Sequence, residues 1–362
     1  MYLSTVAMIS SIGANAQMTM DAMDAQVSGY RTCGFTCANG CPAVVSALDD
    51  GLFVDAILDI DIDGPFTTKL VRCVKLLAFA IEDLKQQVSF ENPAPLIWLG
   101  AESDEYEPLP LGTISDVLSE LDAPIKQDAI YPVNLGRASG IYALQHAYDL
   151  MNQKGFDYVV LGSAESPFTN EWLASLDERG RLKADGVADG FAPGEGAGFV
   201  VLARTPELAS ACTSDPENST PIYLNLPGVA QSPSHWGNET AHKGEALHQA
   251  MVAAFDHVDP QAKKCDAVVS SLNGELFGMK EHRVALARLT DEIGDAELFH
   301  PFEYVGDLGA FSGILLLAQS AHLINSAGFN NIMIYSSSDN PWRSAVVAQG
   351  VAVNNAQKGI GS

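Results

Sequence analysis

A single arginine stands at the start of a helix near the middle of the chain. Residues 132–144 read PVNLGRASGIYAL, in which small residues form a turn and Arg137 precedes an apolar, helical pattern. A cation at a helix N-terminus opposes the helix dipole by a few tenths of a kcal/mol up to about 1 kcal/mol. A guanidinium stays protonated and has no lone pair with which to attack a substrate. We therefore expect Arg137 to fill a pocket or to hold a carboxylate.

Three cysteines form the other chemistry-bearing pattern. Cys33, Cys37 and Cys41 recur at every fourth residue, a spacing that would align three thiols on one helical face, although Gly34 and Gly40 disfavour a helix there. A structural zinc site normally has four ligands and a shorter Cys-x2-Cys hook. We interpret the cysteines as structural thiols in a reducing compartment, with metal binding as the alternative. We expect no metal and no cofactor.

A helix-strand unit positions Arg137, and it occurs twice. Residues 135–163 align without a gap on residues 308–336, and 11 of the 29 positions are identical. In each copy a glycine-rich turn opens an apolar helix, a Gly-Phe pair closes it, and a β-branched run follows as a buried strand. Ser139 and Ser312 match in the two copies, which favours a shared capping role at the helix start over a nucleophile at Ser139. Alternation of helix with buried strand is typical of layered α/β proteins.

The same plan extends over the rest of the chain. Further buried strands are predicted at LSTVAMIS, APLIWLG, GAGFVVLA, IYLNL, DAVVSSL and SAVVAQ. Cys73 lies in an apolar helical segment and is expected in the core. Proline, serine, threonine and asparagine accumulate between the halves. We predict an N-terminal half over residues 1–205, a connection over 206–220 and a C-terminal half over 221–362, packed as one body.

Composition limits the possible partners. The 362 residues include 20 basic and 45 acidic side chains, so the formal net charge is −25. Such a surface repels nucleic acid and anionic lipid, and neither is expected as a partner. The apolar N-terminus lacks the basic residue that opens a signal peptide, and no stretch approaches the ~20 apolar residues of a membrane span. We expect a cytoplasmic protein.

Residues 189–202, DGFAPGEGAGFVVL, carry a family resemblance. They resemble the Asp-Gly-Phe-x-Pro-Gly-Glu-Gly-Ala-Gly motif of the β-ketoacyl synthases of the thiolase superfamily. SSLNGELFGMKEHRVAL and YVGDLGAFSGILLL then stand where two further family motifs belong. The resemblance implies an α/β thiolase fold with five layers, α-β-α-β-α, built from two duplicated halves. We interpret Gly194, Glu195, Gly196 and Gly198 as a structural glycine motif, because no phosphate-binding Gly-Lys-Ser or Gly-Lys-Thr follows.

The resemblance also implies chemistry that this chain lacks the residues to perform. Family members use a cysteine that accepts an acyl group and two histidines that stabilise an enolate. By resemblance, Arg137 takes the place of the cysteine, Ser271 and Asp307 take the places of the histidines, and Phe302 takes the place of a lysine. Asn273 and Glu275 stand at two threonines, and SSSDNPWR at residues 336–343 replaces a glycine-rich loop. Five losses in matching segments indicate a fold kept after its catalytic residues were lost, so no catalytic residue is expected.

Three functions are consistent with that interpretation. The first is a non-catalytic subunit or adaptor that forms a homodimer or pairs with a ketosynthase-like protein. By resemblance it is like the chain-length partner of an active ketosynthase or the ketosynthase-like proteins encoded beside type VI secretion effectors. The acidic charge opposes an acidic carrier protein and favours a basic client.

The other two functions keep a ligand in the old pocket. An acyl-thioester-binding or acyltransferase enzyme would use Asp307, Glu275 and His300 as an acid/base set. That hypothesis fails if Arg137 and Trp342 fill the pocket. A sensor that binds a small acyl ligand is the last alternative.

Overall fold

The computed structural model describes residues 1–53, 68–102, 108–213, 221–238 and 243–351. Of the predicted connection and C-terminal half, residues 214–220, 239–242 and 352–362 lie outside these ranges. The strands within them are β1 Tyr2–Ser10, β2 Tyr30–Thr36, β3 Pro42–Ser46, β4 Ala94–Gly100, β5 Ile125–Asn134, β6 Tyr158–Glu165, β7 Gly196–Ala203, β8 Ile222–Leu224, β9 Gly228–Gln231, β10 Ala267–Ser270, β11 Glu297–Phe299, β12 Asn331–Ser337 and β13 Trp342–Gly350. The helices are α1 Ala16–Asp24, α2 Thr68–Gln87, α3 Leu111–Glu120, α4 Ser139–Lys154, α5 Asn170–Glu178, α6 Pro206–Cys212, α7 Glu245–Phe255, α8 Leu276–Leu286, α9 Thr290–Ile293, α10 Phe302–Val305 and α11 Ser312–Ser326.

The two halves have the same sheet topology. The first sheet runs β5-β4-β6-β7-β1 and the second runs β11-β10-β12-β13-β8. When the hairpin β2-β3 and the added strand β9 are left aside, the first to fifth strands of each half, in chain order, occupy the same positions in their sheets. In both sheets the first two pairings are parallel and the last two antiparallel. The sheets meet where β1 pairs briefly with β8, and β9 adds to β13. The duplication read from 29 aligned positions therefore extends to the whole sheet architecture.

The helices and the two sheets pack through their apolar faces into five layers. Helices α4 and α11 supply Ile141, Leu144, Ile314 and Leu317 to a central core that also takes in residues from both sheets. Helices α2 and α3 cover the outer face of the first sheet, and α7 and α8 cover the outer face of the second. Every residue of β4 is buried, since helices cover both faces of the sheet. The predicted five-layer α-β-α-β-α thiolase fold is confirmed.

The two central helices cross at a pair of equivalent glycines. A Cβ on Gly140 would lie 2.6 Å from the Cα of Gly313, and one on Gly313 would lie 2.5 Å from the Cα of Gly140. Only glycine permits backbones this close. The crossing brings together the turns that begin α4 and α11, one of which contains Arg137 and the other of which follows Asp307.

The three spaced cysteines lie in a hairpin and not on a helix. Cys33 is in β2, and Cys37 and Cys41 are in the turn to β3. All three pack in one apolar cluster with Phe191. Burial and Asp177 raise the pKa of the Cys37 thiol to about 11.

None of the helices in the described ranges combines the length and the apolar character that a membrane span requires.

A cavity above a buried network of arginines and carboxylates

Arg137 lies in the 3₁₀ turn Gly136–Ala138 between β5 and α4, and its side chain is buried. Its Nε is 3.0 and 2.8 Å from the two carboxylate oxygens of Asp307, and its Nη2 donates to Asp307 Oδ2 at 2.6 Å. Nη1 donates to Asp339 Oδ1 at 2.8 Å. Three guanidinium nitrogens thus donate to carboxylates, which is the strong, charge-assisted kind of hydrogen bond. The carboxylates supply the negative charge that a cation at this turn requires.

Arg181 forms a second, parallel arrangement. Its Nε and Nη2 donate to the two oxygens of Glu275 at 2.6 Å each, and its Nη1 donates to Asp339 Oδ2 at 2.6 Å. The guanidinium carbon lies 4.0 Å from the ring centre of Trp236, where the π face attracts a cation. Arg181 Nη2 also donates to Asp339 Oδ1 at 3.2 Å, so Asp339 links both arginines and its Oδ1 accepts from each of them.

Asn273 connects Glu275 to Asp307 within this network. Its amide nitrogen donates to Glu275 Oε2 and to Asp307 Oδ2, both at 2.9 Å, and its side-chain oxygen accepts from the Glu275 N–H. The Asp307 carboxylate also accepts from the Gly309 N–H. Charges buried at this depth are tolerated only when each is paired and hydrogen-bonded, as these are.

The segment at residues 189–196, which includes most of the glycine motif, positions the main chain around this network. Ala192 O accepts from the Asp307 N–H and the Gly194 N–H donates to Asp307 O, both at 2.8 Å. The Phe191 N–H donates to Arg181 O, and Asp189 accepts from the Leu276 N–H at the start of α8. The motif thus fixes Asp307, Arg181 and the helix start beside Glu275. A Cβ on Gly194 would lie 2.2 Å from Val305 O, which excludes any larger residue.

The other members of the glycine motif pack against the protein interior. Cβ atoms on Gly196 and Gly198 would lie 2.6 Å from the Phe311 ring and from Ala7 O. Glu195 is fully buried, receives two hydrogen bonds of 2.6 Å from Arg72, and accepts from the Leu48 N–H and the Ser166 hydroxyl. Its charge is compensated there, away from the Arg137 network.

Glu102, at the end of β4, adds a further carboxylate. Its oxygens accept from the Asp339 and Asn340 N–H groups at 3.1 and 2.6 Å. A Cβ on Gly136 would lie 2.6 Å from Glu102 Oε1, so glycine there leaves room for this carboxylate. Burial and the neighbouring Asp339 carboxylate raise the pKa of Glu102 to about 7, against the opposing effect of Arg137. For Asp339, the two arginines outweigh burial and lower the pKa well below its usual range.

A second buried pair fixes the loop that carries Asp339. Arg343 is fully buried, donates from Nε to Glu281 Oε1 at 2.6 Å, and donates from Nη1 to the carbonyls of Ser338, Asn340 and Trp342. The Ser338 hydroxyl accepts from the Ala138 N–H at 2.9 Å. These contacts tie residues 336–342 to the turn that contains Arg137.

A cavity of about 310 Å³ opens above the network. Its volume is at the lower end of the range for small-molecule sites. Its aromatic lining is Trp172, Phe191 and Trp236. Its charged lining is Glu102, Arg137, Glu165, Arg179, Arg181, Asp307 and Asp339.

The structure separates the residues that sequence analysis grouped into one pocket. Arg137, Glu275 and Asp307 belong to the network, but His300 does not: its Nδ1 lies 2.7 Å from the Ser270 hydroxyl, and its ring contacts His282. Trp342 packs edge-on against Tyr142 and does not line the cavity, which has Trp236 instead.

The remaining predicted positions have structural contacts. Phe302 is in the central core, and the Ser271 hydroxyl accepts from the Ser337 N–H. Ser139 is not an N-cap: its hydroxyl accepts from the Leu135 N–H and lies 3.1 Å from Val133 O, so it stabilises the end of β5. The capping prediction is wrong because Ser139 is the first helical residue and the 3₁₀ turn precedes it.

Sequence reasoning missed Arg181, Glu102, Asp339 and Trp236. Asp339 lies in the SSSDNPWR segment that departs from the family pattern, which was a usable signal. Arg181 lies eight residues before Asp189, the first residue of the DGFAPGEGAG segment, and Glu102 follows a predicted strand. Neither spacing indicates a site. Nothing in the sequence around Trp236 distinguishes it from a surface aromatic residue.

Comparisons with known proteins agree with this architecture. A model of the β-ketoacyl synthase N-terminal domain matches residues 133–207, which include Arg137, Arg181 and the glycine motif. No curated protein sequence matches the chain.

Solved structures with the same fold cover almost the whole chain. The ishigamide ketosynthase/chain length factor matches with a TM-score of 0.73 and 15% identity, over 97% of this chain and 99% of that one. A ketosynthase from module 6 of the bacillaene synthase of Bacillus subtilis 168 gives a TM-score of 0.75 and 14% identity, over 97% and 72%. A ketosynthase in complex with its chain length factor from Xenorhabdus doucetiae gives 0.68 and 12%, over 97% and 98%.

Proposed function

Because the chain has the thiolase fold and carries β-ketoacyl synthase sequence at residues 133–207, we propose that it is a non-catalytic ketosynthase-like subunit or adaptor that binds a protein partner. The observation that carries this proposal is the hydrogen bonding of Arg137. Its guanidinium occupies the helix-start position where family members, by resemblance, have their nucleophile, and it is bound to Asp307 and Asp339.

The carboxylates at the positions where family members, by resemblance, have catalytic or neighbouring residues support a non-catalytic role. Asp307 and Glu275 each receive two or more hydrogen bonds from a guanidinium, so both carboxylates are already engaged in ion pairs. An anionic Asp307 would also repel the enolate that a condensing enzyme must stabilise. His300 is bonded to Ser270 and is not among the residues that line the cavity, which favours this proposal over the altered-enzyme hypothesis.

Charge and similarity narrow the class of partner. The formal net charge of −25 favours a basic partner over an acidic carrier protein. Two of the structurally similar proteins are described as ketosynthase and chain length factor assemblies. A ketosynthase-like chain and a basic client, such as a secreted effector, are therefore the two partner classes within this proposal.

The test is to recover the tagged protein at its natural level from its own host. We expect a complex of fixed stoichiometry by light scattering, in which mass spectrometry identifies either a ketosynthase-like chain or a basic protein. The complex should re-form from the two purified chains, and it should weaken as salt is raised if the partner is basic. A homodimer that carries only a small acyl compound would contradict the proposal.

A further inference from the structure

The charged groups of the cavity do not balance. Among the described residues, four carboxylates line it, from Glu102, Glu165, Asp307 and Asp339, against three guanidinium groups from Arg137, Arg179 and Arg181. Glu275 adds a fifth carboxylate directly behind Arg181. The described part of the site therefore carries an excess of acceptors and of negative charge.

The two buried arginines are already engaged by carboxylates. Nε, Nη1 and Nη2 of both Arg137 and Arg181 donate to carboxylates at 3.0 Å or less in at least one hydrogen bond each. An added anion would have to compete with these carboxylates for the five N–H groups of each guanidinium. Arg179 lies at the exposed rim. The buried end of the cavity therefore presents carboxylate oxygens beside guanidinium groups that are already paired.

The carboxylate oxygens remain accessible from the cavity. The Asp339 side chain keeps 33% of its surface exposed although it binds both arginines, and each oxygen of a carboxylate accepts more than one hydrogen bond. Glu102 has one backbone donor on each oxygen and lies beside Asp339. Together they form an acceptor pair at one end of the cavity.

The aromatic lining suits an apolar stem. Trp172 and Phe191 meet edge-on with ring centres 6.4 Å apart, and Trp236 and Leu176 complete the apolar lining. The Phe191 and Trp236 rings already face the Arg181 guanidinium, at 5.1 and 4.0 Å. Methylene groups pack well on such rings, while a cationic head is attracted to the carboxylates.

We propose that this cavity binds an organic monocation, a primary ammonium or guanidinium on a short apolar stem, with its charged head at Glu102 and Asp339. The inference rests on the proposed function: the stem is then a lysine or arginine side chain of the basic partner. A free amine metabolite has the same chemistry and is the other possible source.

The protonation of Glu102 supports this assignment. Its raised pKa reflects burial and then repulsion by Asp339, opposed by Arg137. The other charged groups lining the same cavity are Asp307, Glu165, Arg179 and Arg181. A bound cation favours the ionised carboxylate, so binding expels the proton. Affinity should rise between pH 6 and pH 8 and then level off.

The experiment titrates the full chain with four matched probes: n-butylamine, propylguanidine, 1-pentanol and butyrate. Calorimetry reports binding, and tryptophan fluorescence reports contact with Trp172 and Trp236. We expect each of the two cations to bind at least tenfold more tightly than 1-pentanol, with no binding of butyrate. Equal affinities for the cations and the alcohol, or preference for butyrate, would overturn the inference.

Two variants separate the cavity from the general acidity of the chain. Glu102→Gln should weaken n-butylamine binding about tenfold and remove its pH dependence between pH 6 and 8. Glu297→Gln makes the same charge change on the exposed strand β11 and should leave binding unaltered. A wild-type affinity that does not change between pH 6 and 8 contradicts the role of Glu102 even if the variant fails to fold.

Capped peptides with lysine or norleucine at the central position identify the source of the cation. Competition by the lysine peptide indicates a partner side chain, whereas binding of free amines alone indicates a metabolite. The proposed function fails separately: it fails when no protein complex forms, whether or not the amines bind.

Discussion

Arg137 joins two halves of the chain through its side chain. Its carboxylate partners, Asp307 and Asp339, both come from the C-terminal half, while Arg137 comes from the N-terminal half. Removal of one member leaves buried charges without compensation, which costs far more than the net stabilisation by the intact pair. The network therefore determines the placement of the loop that carries Asp339 more than it adds to the total free energy of unfolding.

Replacing Arg137 by methionine tests this dependence. Arg137→Met leaves Asp307 and Asp339 short of donors, and we expect a loss of about 3–5 kcal/mol in the free energy of unfolding measured with denaturant. The control is Arg204→Met, since Arg204 pairs with Asp157 at the exposed surface and should cost less than about 1 kcal/mol. Adding Asp307→Asn to Arg137→Met should recover part of the loss, and two additive effects would argue against a coupled pair.

Glu102 gives a pH dependence of stability. Its pKa is about 7 in the folded protein, above the ordinary 4.5, so the folded state holds the proton more tightly than the unfolded state does. This contribution is complete below about pH 4.5 and is lost as the pH rises to about 7, at up to about 1.4 kcal/mol per pH unit. Denaturant titrations should show this slope removed in Glu102→Gln. An unchanged slope in the variant would assign the titration to another group.

At the scale of elements, the sequence predicted the parts that repeat and are buried. All eight strands expected from apolar runs are present, including β6 and β12 in the two copies. The end of α4 at Gly155 was also predicted, and that glycine adopts φ +74°. Strand β5 was missed because it is an edge strand with several exposed polar residues, so its pattern lacks a continuous apolar run.

The site was predicted less completely than the fold. Arg137 and Asp307 were identified because they replace residues of a known pattern, and the need for a carboxylate near Arg137 follows from the helix dipole. Arg181 and Glu102 approach Asp339 only through tertiary packing. In the sequence they are 158 and 237 positions away from Asp339, respectively. No local spacing encodes such contacts.

The helix crossing provides a test at the element scale. Gly140→Ala places a methyl group against the backbone of Gly313, and we expect a loss of about 2–3 kcal/mol in unfolding free energy from the forced separation of α4 and α11. Gly112→Ala in α3 meets nothing within 4 Å and should stabilise by up to about 1 kcal/mol through helix propensity. Equal effects of the two substitutions would show that the crossing tolerates a larger residue.

At the scale of the whole molecule, the halves share one core. The central cluster draws residues from both sheets and from both central helices, so neither half covers its inner face alone. We expect a single cooperative unfolding transition in calorimetry, and we expect a fragment of residues 1–213 to lack a stable tertiary structure by near-ultraviolet circular dichroism. Two resolved transitions, or a folded fragment, would instead indicate independent halves.

We propose that this chain retains a ketosynthase-like fold without the condensing chemistry of ketosynthases. The most direct measurement is decarboxylation of a malonyl thioester, together with intact-mass detection of acyl transfer, for the natural chain and for Arg137→Cys. Arg137→Cys restores a thiol at the helix start but leaves Asp307, Ser271 and Phe302 in place. We expect no turnover above background and no acyl-enzyme for either protein. Sustained decarboxylation by the natural chain, or by the single variant, would contradict it.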